Sequence, residues 1–386
     1  MTVYITGMGC TSALGNRSKN TLAYLREPVD ENKLLRSGLG TLTFPAPLNR
    51  EYDSGGSRLR SLDLLLQALD EALDEAGLKT FAAPARVGVC IGTTSASFLN
   101  DILFHRKLRS CVLDASAMKK YISGNPSEFI KRHLALKGPA ITIANACSSG
   151  TDAIGVGMSL IRNGVCDIVI TGGADELHDV PNAGFYALGV TSPGLCRPFD
   201  RDRDGLNLGE GAGVMILESA ASMRQRGATS TLSAAGYGGS NDAFHITQPD
   251  PEGQGIESAI RAALRDAGNL PPEQVGFINA HGTGTLQNDL AEALAFFRIF
   301  GTGCRYLSTK GRTGHTLGAA GAIEAVITGL MLREQRIPAS PGFSKPPEDI
   351  PMPPVAVDTA INSKYAMSTS LAFGGCNSAL LLKQEG

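Results

Sequence analysis

The sequence lacks the patterns that mark several common classes of protein. Its eight cysteines form no CxxC pair and show no regular spacing, and its six histidines include no HExxH arrangement. These absences argue against a zinc site and against a disulfide framework. Lys and Arg number 35 against 37 Asp and Glu, so no excess of charge marks a surface for nucleic acid or anionic lipid.

Long apolar runs are also missing. No stretch of about 18 uncharged apolar residues occurs, which argues against a membrane-spanning helix. The start, MTVYITGMGC, lacks the basic and apolar regions of a secretory signal. We therefore expect a cytoplasmic protein. With 386 residues, of which 42% are apolar and 19% charged, the chain is long enough to bury a large core.

The residues that are present alternate short apolar runs with helical patterns. VYITGM, RVGVCIGTT, ITIAN, DIVITGG and GVMILE have the composition of strands, and SLDLLLQALDEALDEAG has the spacing of a helix. This alternation predicts an α/β fold.

The same order of elements occurs twice. ALDEAG at 72–77 matches ALRDAG at 263–268, an offset of about 190 residues, and a strand beginning Val-Gly follows each. PAITIANACSSGTDAIG and YLSTKGRTGHTLGAAGA occupy equivalent places later in each half. The repeat therefore places Cys147 and His315 at the same point, where a strand gives way to a helix. We expect them to face each other across a pseudo-twofold axis, in a pocket between the halves.

Cys147 lies where a strand is followed by small residues and then by a helical pattern that begins near Ser148 or Ser149. A thiol at the start of a helix meets the helix dipole and free backbone N–H groups. We therefore expect its pKa to lie below the ordinary value of about 8.5, which would favour the nucleophilic thiolate. A buried, inert cysteine is the plainer alternative.

Two histidines follow strands in the second half. NAHGTGTLQNDLAE carries His281, and STKGRTGHTLGAAGAIEA carries Lys310, His315 and Glu324. Taken alone, each stretch also fits a loop-capping histidine or a Gly-rich turn before a packed helix. Together, a thiol and two neutral imidazoles suit covalent thioester chemistry with stabilisation of an oxyanion. That chemistry needs no metal or redox cofactor.

Six stretches in this order resemble the elongating β-ketoacyl-(acyl-carrier-protein) synthases of fatty-acid and polyketide synthesis. They are NACSSG, CRPFDRDRDGLNLGEGAGVMILE, SNDAFHITQPDPEG, HGTGTLQND, KGRTGHTLGAAGAIEA and LAFGGCNSALLL. The resemblance implies a thiolase-like fold of duplicated α/β/α halves in a five-layered α-β-α-β-α arrangement. Residues 1–225 would carry the nucleophile, and residues 226–386 would carry both catalytic histidines.

The resemblance also implies a role for each matching residue. Cys147 would accept the acyl group, and His281 and His315 would promote decarboxylation of a malonyl unit. Lys310 and Glu324 would support the two histidines, and Asp289 and Glu292 would be carboxylates behind the first histidine. Thr283 and Thr285 would contact the phosphopantetheine arm. Phe373 would act as a gate, and its backbone N–H would form the oxyanion hole with that of Cys147.

The implied reaction is a decarboxylative Claisen condensation between an acyl group on Cys147 and malonyl-carrier protein. Substrates would arrive on the phosphopantetheine arm of an acyl-carrier protein, with no other cofactor and no metal. The implied assembly is a homodimer, or a heterodimer with a paralogous subunit similar to a chain length factor. Two rival functions share the fold: a non-elongating partner subunit and an acyltransferase or thioester hydrolase. Retention of the cysteine argues against the first, and the two histidines argue against the second.

The chain departs from the common pattern of this family at two positions near the site. Leu286 replaces Pro after HGTGT, and Ala372 replaces Gly before the gating Phe373. The region from Leu22 to Ser57 is also compact. These departures bear on acyl specificity and on the gate, and they favour a specialised pathway, such as aryl-polyene or polyene-lipid assembly, over primary fatty-acid synthesis.

Overall fold

A computed structural model describes residues 1–78, 81, 86–94, 102–111, 115, 118 and 124–386. The helices in these ranges are α1 Ser18–Arg26, α2 Arg60–Ala76, α3 Ile102–Arg109, α4 Pro126–His133, α5 Ser149–Arg162, α6 Asp179–Ala187, α7 Ala220–Gln225, α8 Gln254–Asp266, α9 Leu286–Phe300, α10 Lys310–Thr313 and α11 Ala320–Glu334. The strands are β1 Val3–Thr11, β2 Leu35–Arg36, β3 Leu42–Phe44, β4 Val87–Gly92, β5 Ala140–Ile143, β6 Ile168–Asp175, β7 Leu208–Gly209, β8 Gly211–Ser219, β9 Leu232–Asn241, β10 Val275–Asn279, β11 Tyr306–Leu307, β12 Arg336–Ile337, β13 Thr359–Ala360, β14 Tyr365–Ala372 and β15 Cys376–Gln384.

Ten strands form one mixed sheet in the order β11-β10-β14-β15-β9-β1-β8-β6-β4-β5. Two residue pairs, Val3 with Ala234 and Tyr4 with Ser233, join β1 to β9 at its centre. Outward from this seam, each half has two antiparallel contacts followed by two parallel ones. The predicted duplication is therefore present in the topology. The division at residues 225 and 226 stays a prediction.

The repeated ALDEAG and ALRDAG segments have a common packing role. Gly7 of β1 lies so close to α2 that an added Cβ would stand 2.0 Å from the carbonyl oxygen of Ala72. An added Cβ at Gly236 of β9 would likewise stand 2.3 Å from the carbonyl oxygen of Ala263 in α8. Glycine on the strand and alanine on the helix let the backbones approach in both halves, which explains why the two segments are similar.

The apolar residues of the described ranges form three main cores that separate five layers. α2 packs on the outer face of the first half of the sheet, and α8 and α9 pack on the outer face of the second. Helices α5 and α11 lie between the halves and share a core that contains Met215 from the first half and Leu380 from the second. This is the predicted α-β-α-β-α arrangement.

No helix in the described ranges is both long enough and apolar enough to span a bilayer.

Candidate active site

Cys147 occupies a short 3₁₀ turn, Ala146–Ser148, between β5 and α5. Ala146 has φ +48°, a left-handed conformation that a residue with a Cβ rarely adopts. The hydroxyl of Ser149 stabilises the turn, because it accepts from Asn145 N at 2.8 Å and donates to Ala146 O at 2.6 Å. The helix begins at Ser149, as predicted, and Cys147 is only 4% exposed.

The second half contains a matching 3₁₀ turn at Leu317–Ala319, just before α11, and Leu317 has φ +54°. The counterpart of Cys147 in the repeat is therefore Gly318, and His315 lies three residues earlier. The predicted junction is right, but the predicted equivalence of Cys147 and His315 is wrong by three residues. Gly318 has no room for a side chain, since an added Cβ would stand 2.6 Å from the backbone of Thr93.

The structure brings Cys147 and both histidines into one cavity of about 330 Å³. His315 Nε2 lies 3.1 Å from Cys147 Sγ. The imidazoles of His281 and His315 have ring centroids 5.1 Å apart and an interplanar angle of 87°. A substrate carbonyl placed beside the sulfur would therefore face both imidazoles.

Lys310 fixes the tautomer of His281. Its Nζ lies 3.2 Å from His281 Nδ1 and 2.6 Å from the carbonyl oxygen of His281, and it forms a buried ion pair with Glu324. An ammonium group carries donors and no acceptor, so His281 Nδ1 must accept the hydrogen bond. The ring proton then resides on Nε2, which leaves that nitrogen as a hydrogen-bond donor.

Both histidines are neutral at pH 7. Burial lowers the pKa of His281 well below 6.5, and the charge of Lys310 lowers it further. Burial and Lys310 have the same effect on the pKa of His315. The predicted pair of neutral imidazoles therefore has a physical basis in desolvation and in a nearby fixed positive charge.

The pKa of Cys147 does not follow the expectation from its position before a helix. Burial raises the pKa of the thiol to about 12, although Lys310 and the backbone N–H of Phe373 oppose the rise. Desolvation of the thiolate is the largest effect on the pKa, so the expected lowering is wrong. At neutral pH the sulfur is a thiol, hydrogen bonded to His315 Nε2.

Asp289 and Glu292 hold the backbone of the loop after β10 and do not touch an imidazole. Glu292 accepts from the N–H groups of His281 at 2.9 Å and Gly282 at 2.6 Å, and Asp289 accepts from Gly284 at 3.2 Å. Burial raises the pKa of Glu292 to about 7 and that of Asp289 to about 6. Their position behind the first histidine is as predicted, and their contacts fix the turn that carries it.

Thr283 and Thr285 line the same cavity as Cys147, with their hydroxyls 2.9 Å apart. Leu286, which replaces a proline of the common pattern, also lines this cavity and is 53% exposed. The role of the two threonines in contacting the phosphopantetheine arm stays a prediction.

Phe373 places its backbone N–H against the sulfur of Cys147. Its ring stacks on Phe185 of α6 with centroids 5.3 Å apart, and Phe185 in turn presents an edge to His315 at 6.2 Å. Phe185 was not predicted as a site residue. The sequence signal at this position is an aromatic pair, Phe185 and Tyr186, in a segment without apolar periodicity.

Among the described residues, no group of three or more His, Cys, Asp or Glu side chains has the arrangement of a metal site.

Two family models match the chain in sequence. The N-terminal domain of β-ketoacyl synthases matches residues 59–222, and the C-terminal domain matches residues 232–344. The chain belongs to the β-ketoacyl synthase family. The family, fold and enzyme class predicted from the motifs are thereby confirmed.

Curated relatives of this synthase match over nearly their whole length. The 3-oxoacyl-(acyl-carrier-protein) synthase 2 of Staphylococcus aureus strain COL is 35% identical over 99% of this chain and 98% of its own. The enzyme of the same name from Vibrio cholerae serotype O1 is 36% identical over 99% of each chain.

Solved structures agree with this assignment. A β-ketoacyl synthase from Burkholderia phymatum is 31% identical, with a TM-score of 0.88 over 100% of both chains. A chain from the complex of a ketosynthase with its chain length factor, from Xenorhabdus doucetiae, is 33% identical, with a TM-score of 0.82 over 100% of this chain and 98% of that one.

Proposed function

We propose that this synthase condenses an acyl group carried on Cys147 with a malonyl unit on an acyl-carrier protein, releasing carbon dioxide and a β-ketoacyl product two carbons longer. The observation that supports this most strongly is the thiol in one cavity with two neutral imidazoles, one of them held as a donor by Lys310. The names of the curated relatives support the carrier protein as the form in which substrates arrive.

In the first step, Cys147 Sγ attacks the thioester carbonyl of the acyl-carrier protein. The bond between the acyl carbon and the carrier sulfur breaks, and the released carrier thiolate takes up the proton that leaves Cys147. His315 Nε2, at 3.1 Å from the sulfur, is placed to transfer this proton. The N–H groups of Cys147 and Phe373 would hold the oxyanion of the tetrahedral intermediate.

In the second step, His281 Nε2–H donates to the carbonyl oxygen of the malonyl thioester. The bond between the α-carbon and the carboxylate breaks, carbon dioxide leaves, and the electron pair of that bond stays on the α-carbon as an enolate that the donor stabilises. The enolate carbon attacks the acyl carbonyl on Cys147, and collapse of the intermediate expels the Cys147 thiolate, which takes up a proton from solvent. His315 Nδ1 has no hydrogen-bond partner among the described residues, so no contact there fixes the tautomer of this ring, and its Nε2 can accept the proton of Cys147 in the first step.

The assembly we propose is a dimer, with an identical subunit or with a paralogous one similar to a chain length factor, as in the complex from Xenorhabdus doucetiae. The phosphopantetheine arm would enter past Thr283 and Thr285 and would be the only prosthetic group involved. We further propose a cytoplasmic location and a specialised pathway such as aryl-polyene assembly.

The test is incubation with malonyl-carrier protein and a panel of acyl-carrier proteins, followed by mass analysis of the carrier-bound products. We expect a β-ketoacyl product two carbons longer than the primer, absent in C147A. Absence of product with every primer, and also after addition of a paralogous subunit, would contradict the proposal.

A further inference from the structure

Asp152 is a buried carboxylate in α5 that takes no part in the steps above. It lies five residues after Cys147 and is 7% exposed. Both of its oxygens accept hydrogen bonds. Oδ2 accepts from Asn145 Nδ2 at 2.6 Å and from Ser148 Oγ at 2.8 Å. Oδ1 accepts from Tyr237 OH at 2.8 Å and from the hydroxyl of Ser378.

The first pair of donors flanks the nucleophile. Asn145 and Ser148 stand on either side of Ala146 and Cys147, in a turn that needs a left-handed residue at Ala146. Such a conformation is strained for a residue with a Cβ and persists only where surrounding contacts hold it. The bonds from both ends of the turn to one carboxylate oxygen supply such contacts.

The second pair of donors belongs to the other half of the molecule. Tyr237 lies on β9 and Ser378 lies on β15, whose first residue, Cys376, is three positions after Phe373. Asp152 therefore ties the turn that carries the nucleophile to the strand that follows the gate.

A second contact connects the same two segments. Cys376 Sγ lies 3.1 Å from Asn145 Oδ1. The amide of Asn145 is thus oriented at both ends, with its oxygen toward Cys376 and its nitrogen toward Asp152. The hydrogen bonds therefore run from Cys376 of β15 to Asn145, from Asn145 to Asp152, and from Asp152 back to Ser378 of β15. They enclose one side of the turn.

We propose that Asp152 is a positioning residue. Acting through Asn145, it holds the turn that carries Cys147 in a fixed position relative to β15, the strand that follows Phe373. The proposal rests on Cys147 being the nucleophile, and it predicts that the reactivity of this sulfur depends on the Asp152–Asn145 hydrogen bond.

The test uses the rate at which iodoacetamide alkylates Cys147, measured by mass spectrometry of the peptide that contains it. In wild type, the two carboxylate oxygens of Asp152 accept from four donors. D152N replaces one of these oxygens with an amide NH2 group, which cannot accept, so two of the donors lose their acceptor. N145D/D152N exchanges donor and acceptor between the two positions and restores the bond at the same net charge. S159A, at an exposed position of α5, serves as the matched control.

We expect alkylation in D152N to slow by about tenfold or more, because small displacements of a reacting group cost up to about a hundredfold in rate. We expect the rate in N145D/D152N to recover to within about threefold of wild type. Wild-type alkylation in D152N would overturn the proposal. So would equal slowing in D152N and N145D/D152N with both variants folded, as judged by melting temperature. Alkylation needs no carrier protein, so this result is independent of whether the chain condenses.

Discussion

Cys147 Sγ and His315 Nε2 lie 3.1 Å apart although 168 residues separate them in the chain. The sulfur comes from the first half of the fold and the imidazole from the second. The contact exists because α5 and α11 pack against each other between the halves, each beginning just after a 3₁₀ turn. The reactive pair is therefore a product of the packing of the halves.

A substitution at Gly150 in α5 would test the packing of α5 against α11. An added Cβ would stand 2.7 Å from Ala322 N and 2.8 Å from Gly318 O, both backbone atoms that cannot rotate away. We expect G150A to lower the free energy of unfolding by about 1–3 kcal/mol. G184A is the matched control, because Gly184 lies in α6 with nothing within 4 Å of an added Cβ. Chemical denaturation measures both, and equal stability of G150A and wild type would contradict the account.

Lys310 is predicted to act on both stability and decarboxylation. K310M removes the partner of the buried Glu324 and should cost about 3–5 kcal/mol of stability. It also releases the tautomer of His281, so the rate of malonyl decarboxylation should fall by about a hundredfold.

K310M/E324Q separates these effects. The double variant removes the unpaired carboxylate, so we expect it to regain part of the lost stability while decarboxylation stays slow. Recovery of the decarboxylation rate in the double variant would show that Lys310 acts through stability alone.

The pH dependence of decarboxylation follows from the lowered histidine pKa values. A histidine with a lowered pKa keeps its neutral form as the pH falls through 6.5, so the loss of activity on acidification should occur well below that pH. Burial raises the pKa of Glu324 to about 7, against the opposing charge of Lys310, so wild type should show a further inflection near that pH.

E324Q removes the contribution of Glu324 and leaves that of Glu292, whose pKa burial also raises to about 7. Initial rates of carbon dioxide release from pH 5 to 8, in wild type and E324Q, are the required measurement. A pH profile of E324Q identical to that of wild type would contradict the assignment of an inflection to Glu324.

Phe185 is predicted to control access to the sulfur. F185A removes a ring that packs on both Phe373 and His315, and such aromatic pairs are worth about 0.5–1.5 kcal/mol. We expect faster alkylation of Cys147 by iodoacetamide, by about three- to tenfold, together with slower condensation. F185L, which keeps an apolar side chain, should lie between F185A and wild type. Slower alkylation in F185A would show that the ring positions the sulfur and does not limit access to it.

Much of the site was predictable from the sequence because its residues fall within distinctive motifs, and Cys147, His281 and His315 follow strands. Cys147, His281, Lys310, His315 and Glu324 all fall in stretches whose order matches one family, and the structure brings them together. The repeat of glycine-containing strands and alanine-rich helices likewise reflects close packing in both halves.

What the sequence did not reveal depends on three-dimensional surroundings. The pKa of Cys147 is raised chiefly by burial, which a strand–helix junction does not disclose. The three-residue error between Cys147 and His315 arose because the turns at Ala146 and Leu317 match in backbone shape and not in residue type. Phe185 reaches the site from α6, where no residue is fully buried and periodicity gives no signal.

The most direct test of the central claim is to separate acyl transfer from decarboxylation in H281A. The variant would be incubated with acyl-carrier protein and then with malonyl-carrier protein, and the acyl group on Cys147 and the release of carbon dioxide would both be measured. The account predicts that H281A acquires the acyl group on Cys147 but releases carbon dioxide at least about a hundredfold more slowly than wild type. Carbon dioxide release at the wild-type rate, or an acyl group on a residue other than Cys147, would contradict it.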